Sequence, residues 1–461
     1  MPSPQPGTMV WDKDHVRMPC DSNCQYVEID TSGNKILRSR WVLIKELLLE
    51  KPIQSSYELE SVIKSYNMKH KTFWDFSTLH ELFQVHYQSE KTKEFFSIIL
   101  PNIINLALEL PKIIQSPIPL LKEGMNRSIS MSQQQAASLL ANAFLCTFPY
   151  RNNEKKNLEF SNYPEINFNR LFGCRGQNII EKLKCVFNYF ERFFRSKIFN
   201  VITFQRISNN GYQWQNCEFP LYSTKFHISS TGKIEDSPGM IQVDFANRFI
   251  GGGVLSHGAV QEEIRFLMSP EMIVAKLFTE SLSDNETLLM IGCEQFNKYT
   301  GYASNFKFDG DFFDQTPFDS HRRRKTRVVA IDALFYKNFY DQFKEQTIRR
   351  ELNKAYVGFK GYEKSPIATG LWGCGAFNGY TIRSALIQLM ACTVIQKYLV
   401  FYTFGNELVK NEIADIFMFL CQNNVTVEQL YKVLLRYRYD GDPNDPTKLV
   451  MFIKKEIENK N

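Results

Sequence analysis

Two hydrophobic patterns divide the chain near residue 198. From about residue 36 to 195, apolar positions recur at the spacing of amphipathic helices, and strand-like runs are scarce. The clearest helix follows Ser132, with Gln135 three residues on in a capping-box arrangement, and Pro149 comes after its end. Helices without intervening strands predict a separate helical domain.

Beyond residue 198, short β-branched or aromatic runs alternate with helical segments. The strand-like runs are 201–205, 240–245, 288–291, 328–331 and 398–404. The helical segments between them are 260–268, 271–278 and 382–396. This alternation predicts an α/β fold with a mixed sheet sandwiched between helices. The predicted division is an extended Pro-rich arm at 1–25, an all-helical accessory domain at 26–197 and the α/β domain at 198–461.

Composition and charge narrow the class of protein. The 461 residues are 44% hydrophobic and carry a net charge of +6, too small for a dedicated nucleic-acid binder. The basic run 321–325 is interpreted as a solvated loop, and no direct DNA binding is expected. The most apolar stretch, 95–121, is broken by proline and polar residues, and no signal-peptide core precedes it. We therefore expect a soluble protein of the nucleus, the cytoplasm or both.

The ten cysteines are scattered along the sequence. Cys20 and Cys24 are close together, but no second pair lies at zinc-ribbon spacing. We therefore expect reduced thiols and no bound metal.

The first candidate for chemistry follows the strand-like run 240–245. Three glycines at 251–253 let backbone N–H groups approach an anion, and Gln261, Glu262 and Glu263 follow at the start of a helix. Because adjacent helical residues project about 100° apart, the two glutamates should divide the work. One would protonate a leaving oxygen, and the other would hold sugar hydroxyls. A plain strand-to-helix turn with a solvated acid pair remains the alternative.

A second glycine-rich segment, 368–377, lies between a predicted strand and the helix near residue 382. Its backbone N–H groups could wrap a diphosphate without a P-loop lysine. The segment lacks the Gly-Lys-Ser/Thr ending, which argues against a nucleotide triphosphatase. On general grounds, the aromatic residues Tyr302, Phe377 and Phe404 near these loops are expected in the core.

The order Gly-Gly-Gly, seven residues, Gln-Glu-Glu at 251–263 resembles the signature of poly(ADP-ribose) glycohydrolases. The segments 15–20, 139–149, 350–356 and 368–377 resemble the eukaryotic form of that family, so the likeness covers nearly the whole chain. The resemblance implies a macrodomain-like mixed sheet preceded by the helical accessory domain. Leu371 and Asn378 depart from the family's diphosphate loop.

The resemblance also implies a reaction. The enzyme would hydrolyse the ribose–ribose O-glycosidic bond of poly(ADP-ribose), mainly from chain ends, and release ADP-ribose without a cofactor. Glu263 would protonate the departing ribose 2′-oxygen and then deprotonate the attacking water. Glu262 would hold hydroxyls of the reacting ribose, and Asp244 would support the site.

The resemblance also implies a set of substrate-binding residues. They are Gln261, Ile234 and Glu235 at the adenine, Gly252 and Gly253 near the reacting ribose and its adjoining phosphate, Tyr302, Gly373, Cys374, Gly375, Ala376 and Phe377 at the diphosphate, and Phe404 beside the adenosine ribose. Asn247 would support the site together with Asp244, and Phe245 is a further substrate-binding residue. The expected partner is the polymer, often attached to protein, and the enzyme is expected to be a monomer acting in the DNA damage response. Two alternatives are a non-catalytic macrodomain reader of ADP-ribose and a nucleic-acid-binding protein that uses 322–325.

Overall fold

The computed structural model describes residues 10–29, 32–151, 159–196, 200–361 and 364–459. The first nine residues of the predicted arm lie outside these ranges. Residues 10–25 do not project from the molecule: the Val16 N–H donates to the Ile118 carbonyl at 2.8 Å, and the side chains of Val16 and Met18 are buried. Among the described helices, none is long and apolar enough to cross a membrane.

The region before residue 200 is dominated by helices and contains three strands. The strands are β1 (Gln25–Ile29), β2 (Lys35–Ser39) and β3 (Arg127–Ser132). The helices are α1 (Arg40–Leu49), α2 (Ser56–Ser65), α3 (Ser77–Glu81), α4 (Ser89–Glu94), α5 (Leu100–Leu108), α6 (Leu110–Ile113), α7 (Gln133–Phe144), α8 (Asn169–Gly173) and α9 (Gln177–Arg195). The predicted helical domain is confirmed, but the expectation that it is all-helical is wrong.

Strand β3 explains that difference. Its sequence alternates serine with apolar residues. Ile129 and Met131 are therefore buried, while the alternating serines at 128, 130 and 132 are exposed or half-buried. The predicted capping box follows directly. The Ser132 hydroxyl accepts from the Gln135 N–H at 3.1 Å, and the Gln135 side chain accepts from the Ser132 N–H at 2.9 Å. Ser132 therefore ends a strand and begins α7.

The region after residue 200 has the predicted alternation of strands and helices. Its strands are β4 (Val201–Ser208), β5 (Phe226–Ser229), β6 (Ile241–Ala246), β7 (Glu286–Ile291), β8 (Asn297–Thr300), β9 (Lys307–Asp311), β10 (Arg327–Asp332), β11 (Ile367–Gly370) and β12 (Leu399–Tyr402). Its helices are α10 (Gln261–Met268), α11 (Ala275–Phe278), α12 (Glu345–Lys360), α13 (Thr381–Ile395), α14 (Glu407–Gln422), α15 (Val427–Asp440) and α16 (Leu449–Glu458). The predicted helix 271–278 is instead a 3₁₀ turn, Pro270–Val274, followed by the short α11.

Eight strands form one mixed sheet in the order β3-β4-β7-β10-β6-β11-β12-β5. The central strand β6 runs parallel to both neighbours, whereas the half of the sheet from β3 to β10 is antiparallel. The carboxyl ends of β6, β11 and β12 therefore meet at one edge, where open α/β sheets bind ligands.

Two hydrophobic clusters cover the two faces of the sheet. One extends from Val16 through α7 and α9 to Phe204, α10, α11 and Ala330, so the helical region and one face of the sheet share a core. The other lies beneath α12 to α16 on the opposite face.

The basic run 321–325 is not simply a solvated loop. Arg323 pairs with Asp319 at 2.8 Å, and Arg324 pairs with Glu294 at 3.1 Å. The Arg324 side chain is 11% exposed. Because these charges are neutralised within the protein, the run offers less positive charge to a polyanion than its sequence indicates.

Candidate active site

The first glycine loop wraps around the amino-terminal end of α10. Strand β6 is buried along nearly its whole length and delivers Asp244 to the ligand-binding edge of the sheet. The chain then turns through Gly251 and Gly252, whose φ angles of +80° and +42° are in the left-handed region that glycine tolerates best. This turn brings the loop over the first residues of α10.

Both glutamates accept hydrogen bonds from this loop. Glu262 takes the Gly251 N–H at 2.6 Å on Oε1 and the Asn247 N–H at 2.8 Å on Oε2. Glu263 takes the Gly253 N–H at 2.8 Å on Oε1 and the Val260 N–H at 3.0 Å on Oε2. The N–H groups of Gly251 and Gly253 are thus committed to carboxylates, which corrects the expectation that they are free to cradle a phosphate.

The two carboxylates converge on Gly252. A Cβ atom at Gly252 would lie 2.5 Å from Glu263 Oε1 and 2.7 Å from Glu262 Oε2, closer than real contacts allow. Helical periodicity predicted divergence, but the enclosing loop draws both side chains to one place. The glycine therefore serves close approach by two acids.

Three carboxylates are buried in this site. Asp244, Glu262 and Glu263 are 0%, 2% and 6% exposed. Burial, strengthened by the nearby charge of Glu263, raises the pKa of Asp244 well above its usual range, although Arg265 opposes the shift. Burial and the charges of Asp244 and Glu263 likewise raise the pKa of Glu262, against the two N–H donors. Burial thus favours the neutral forms of Asp244 and Glu262.

Asp244 differs from the two glutamates in its contacts. Within the described part of the chain, neither of its carboxylate oxygens has a hydrogen-bond partner. A buried polar group without a partner is costly and calls for a local reason. Its place on β6 beside the acid pair assigns it to the site rather than to the core.

The second glycine loop has open N–H donors, whereas the glycine N–H groups of the first loop are paired. In the residues that the structure describes, the N–H groups of Gly373, Gly375, Ala376 and Phe377 have no hydrogen-bond partner. The loop is braced from within, because the Gly379 N–H donates to the Gly373 carbonyl at 2.9 Å. A braced loop with several unpaired N–H groups can bind a diphosphate.

Two aromatic residues expected in the core stand at the surface instead. Tyr302 is 54% exposed and Phe404 is 44% exposed. The Phe404 ring lies against the second loop: a Cβ at Gly370 would be 2.8 Å from its ring carbon Cε2. Tyr302 lies near Gln261 and Glu263. Partial burial raises the pKa of its hydroxyl, a hydrogen bond with the Gln261 backbone lowers that pKa, and the charge of Glu263 raises it. Exposed aromatic rings beside a loop with free donors can flank a nucleotide.

The residues assigned to the adenine lie around β6 and the turn before it. Ile234 is buried in the 3₁₀ turn Ile234–Asp236, and Glu235 accepts the Tyr299 hydroxyl at 2.6 Å. The Gln261 amide accepts the Phe245 N–H at 2.8 Å and donates to the Val243 carbonyl at 3.1 Å. Gln261 thereby holds α10 against the end of β6.

The remaining predicted residues occupy the same edge of the sheet. The side chains of Phe245 and Phe377 are half-buried, and both pack against the second hydrophobic cluster. The Cys374 thiol donates to the Trp372 carbonyl at 3.4 Å, and burial raises its pKa to about 12. Cys374 therefore acts as a neutral wall of the loop.

Sequence reasoning missed two lysines beneath the first loop. Lys276 donates to the carbonyls of Ile250 and Gly252, and Lys182 reaches from α9 to the carbonyl of Gly253. The available signal was position: Lys182 falls on the apolar face of an amphipathic helix, at the spacing of its buried neighbours. A lysine at such a position requires a buried partner.

Both regions of the chain match models of one family. Residues 87–206 match the model described as poly(ADP-ribose) glycohydrolase, helical domain. Residues 212–411 match the model described as poly(ADP-ribose) glycohydrolase, Macro domain fold. The predicted order of a helical region and a macrodomain-like mixed sheet is confirmed by these matches and by the sheet itself.

Relatives from two organisms extend the similarity along the chain. "Poly(ADP-ribose) glycohydrolase 1" of Arabidopsis thaliana is 29% identical, with 84% of this chain and 88% of the relative aligned. "Probable poly(ADP-ribose) glycohydrolase 2" of the same plant is 30% identical, with 76% and 79% aligned. "Poly(ADP-ribose) glycohydrolase 2" of Caenorhabditis elegans is 31% identical, with 72% and 70% aligned. At this coverage the likeness includes both regions.

Proposed function

This chain belongs to the poly(ADP-ribose) glycohydrolase family, and from that membership we propose that it hydrolyses the ribose–ribose O-glycosidic bond of poly(ADP-ribose) with Glu263 as general acid and base. The observation that carries the proposal is the convergence of Glu262 and Glu263 on Gly252. Two buried acids held by backbone N–H groups provide proton transfer and charge stabilisation at one glycosidic bond.

The first step breaks the bond between the anomeric carbon and the departing ribose 2′-oxygen. Glu263 gives its proton to that oxygen, and Glu262 holds hydroxyls of the reacting ribose. As positive charge develops on the sugar ring, the carboxylate that Glu263 becomes on losing its proton stabilises that charge in a site of low polarity. The raised pKa values of Asp244 and Glu262 favour the neutral forms of these two acids, which limits the negative charge beside Glu263.

The second step uses the same residue in reverse. The ionised Glu263 removes a proton from a water molecule that attacks the anomeric carbon, and ADP-ribose is released. The proton taken from water restores Glu263 to its acid form, so the cycle balances without a cofactor. Its geometry is fixed throughout, because the Gly253 and Val260 N–H groups hold both of its oxygens.

The remaining site residues would bind the ADP-ribose unit. The unpaired N–H groups of Gly373, Gly375 and Ala376 would take the diphosphate. The exposed rings of Tyr302 and Phe404 would flank it and the adenosine ribose. Ile234, Glu235 and Gln261 would bind the adenine, while Phe245, Asn247, Gly252 and Gly253 would enclose the reacting ribose. Cleavage mainly from chain ends is part of the proposal and rests on the family resemblance.

The proposal extends to partners. The enzyme would act as a monomer on polymer attached to proteins, in the nucleus, the cytoplasm or both, without binding DNA directly. The internal pairing of Arg323 and Arg324 supports the last point.

The decisive experiment compares the wild type with Glu263→Gln on poly(ADP-ribose) of defined length. We expect the wild type to release ADP-ribose, detected by chromatography. The variant should lose at least about 100-fold in kcat, since general acid–base catalysis contributes about 10²–10⁴. Its affinity for ADP-ribose, measured by calorimetry, should remain within a few-fold of the wild type. The chromatogram also reports chain-end preference, because endo-cleavage would give oligomers early.

A matched control is Glu271→Gln. Glu271 is also fully buried and accepts a backbone N–H, that of Glu294 at 2.9 Å, but it lies outside the site. This variant should keep its turnover. Substantial turnover by Glu263→Gln would remove the assigned role. A wild type that binds ADP-ribose but releases none would instead be a non-catalytic reader.

A further inference from the structure

Two buried ammonium groups lie beneath the catalytic loop. Lys276, on α11, donates to the Ile250 carbonyl at 3.1 Å and to the Gly252 carbonyl at 3.2 Å. Lys182, on α9 of the helical region, donates to three further carbonyls: Gly253 at 3.1 Å, Val254 at 3.3 Å and Ser256 at 2.7 Å. Five carbonyls of segment 250–256 are thus capped by two side chains.

Lys276 and the glutamates hold opposite ends of the same peptide groups. The Gly251 and Gly253 N–H groups point at the carboxylates, while the carbonyls of Ile250 and Gly252 in the same peptide bonds point at Lys276. Because a peptide group is planar, fixing its carbonyl fixes the direction of its N–H. Lys276 therefore sets the direction of the two glycine N–H groups that hold the carboxylates. Lys182 anchors the part of the loop that follows them, through the carbonyls of Gly253, Val254 and Ser256.

We propose that Lys182 and Lys276 are positioning residues for the reaction, and that Lys182 makes the helical region part of the catalytic apparatus. The inference rests on the proposed function. Neither lysine touches the substrate in this scheme; both act through the loop that orients Glu262 and Glu263. Their positive charges also offset the buried carboxylates, which two neutral donors could not do.

The surroundings of Lys182 make its charge sensitive to pH. The titratable groups around it are Glu263 on α10, Cys174 after α8, Lys276 on α11 and Cys185 on its own helix. Burial lowers the pKa of Lys182 to about 8, although Glu263 opposes the shift. The charge that orients the loop is therefore lost as the pH rises through about 8.

Lys276 has a similar balance. Burial lowers its pKa to about 8, opposed by Glu262, Glu263 and Glu165 and assisted by Arg151. Its ammonium lies within the α/β region, so it provides a test that is independent of the helical region.

The experiment measures kcat and KM on poly(ADP-ribose) for the wild type, Lys182→Met and Lys276→Met. A misplacement of reacting groups by about 1 Å costs on the order of 100-fold in rate, so kcat should fall roughly 10- to 100-fold in each variant. ADP-ribose affinity should stay within about 3-fold, because the diphosphate and adenine residues do not depend on this loop.

Lys397→Met is the matched control for loss of a buried ammonium. Lys397 is 6% exposed and donates to the Phe359 and Lys360 carbonyls at 2.7 and 3.1 Å. It precedes β12 and so lies at the edge of the sheet away from the site. This variant should lower the melting temperature while leaving kcat unchanged.

Lys182→Arg distinguishes a positioning role from a purely structural one, because a purely structural role would leave the pH dependence of kcat unchanged. Arginine keeps its charge far above pH 8, so the alkaline fall of kcat should shift to higher pH than in the wild type. This variant also decides the question if Lys182→Met does not fold. A folded Lys182→Met with wild-type kcat, or an unshifted profile in Lys182→Arg, overturns the inference. A wild type without any ADP-ribose release overturns the proposed function instead, so the two failures are distinguishable.

Discussion

Gly252 occupies a position beside Glu262 and Glu263 that has no room for a side chain. Replacing it with alanine would place a methyl group 2.5 Å from Glu263 Oε1 and 2.7 Å from Glu262 Oε2. The alanine would also have to adopt a φ angle of +42°, which is unfavourable for a residue with a side chain. Either Glu262 and Glu263 move or the loop moves. In both cases the acids leave their positions, and we expect Gly252→Ala to lose about 100-fold in kcat, the usual cost of a 1 Å displacement.

Gly310→Ala separates steric displacement from backbone strain. Gly310 has a φ of +91° and open space around its Cβ position. It should therefore lose stability without losing kcat. If both variants keep wild-type turnover in the polymer assay, the convergence on Gly252 has no catalytic consequence.

Asp244 gives a prediction about pH, also at the residue scale. Its pKa is raised in the folded state above the ordinary 3.8, chiefly by burial, so the folded protein keeps a proton that the unfolded chain releases. The contribution of Asp244 to wild-type stability should then fall as the pH rises from about 3.8 through the raised folded value. Asp244→Asn has no such proton. Its free energy of unfolding in urea, minus that of the wild type, should therefore be larger at pH 8 than at pH 5, which means that the variant gains stability relative to the wild type.

Asp415→Asn is the control, because it removes one carboxylate charge without removing a buried group. Asp415 is exposed on the outer side of α14. Its difference from the wild type should change little between the two pH values. An Asp244→Asn curve parallel to that of the wild type would show that Asp244 does not retain its proton.

The sequence predicts correctly those helices and strands whose structure depends on residues that are neighbours along the chain. The buried run of β6 and the capping box of Ser132 and Gln135 are set by neighbours in sequence, and both are confirmed. Strand β3 was missed because its alternating serines resemble a loop, and only pairing with β4 makes it a strand. The turn Pro270–Val274 is predicted as part of a helix because its apolar residues continue without a break into α11.

The same division applies to the site. The resemblance placed Glu262, Glu263 and the second loop, but helical periodicity gave the wrong geometry for the acid pair. Periodicity describes one helix, whereas the convergence depends on a loop that folds back over its first turn. Lys182 could not be connected to that loop from sequence, because 71 residues separate it from Gly253. Contacts of that range depend on how elements pack.

At the scale of the whole molecule, the two regions behave as one body. The first hydrophobic cluster contains side chains from α7 and α9 together with Phe204, Phe266 and Phe278 of the α/β region, all three 0% exposed. Arg206 of β4 also donates to the carbonyl of Leu121 in the helical region at 2.9 Å. Loss of this partner would remove one buried hydrogen bond from a guanidinium that remains paired with Glu286.

This shared core predicts that residues 198–461 do not fold alone. Removing the helical region would expose the apolar face beneath α9, delete β3 so that β4 becomes an unprotected edge, and take away Lys182. Size-exclusion chromatography of the fragment should show aggregates, and its circular dichroism should lack a cooperative thermal transition. The intact chain should show both a monomer peak and a transition. Co-expression of the fragment with residues 1–197 should restore solubility if the interface alone is missing. A monomeric fragment with a cooperative transition would mean that the α/β region folds independently, and the helical region would then contribute to catalysis through Lys182 without being needed for folding.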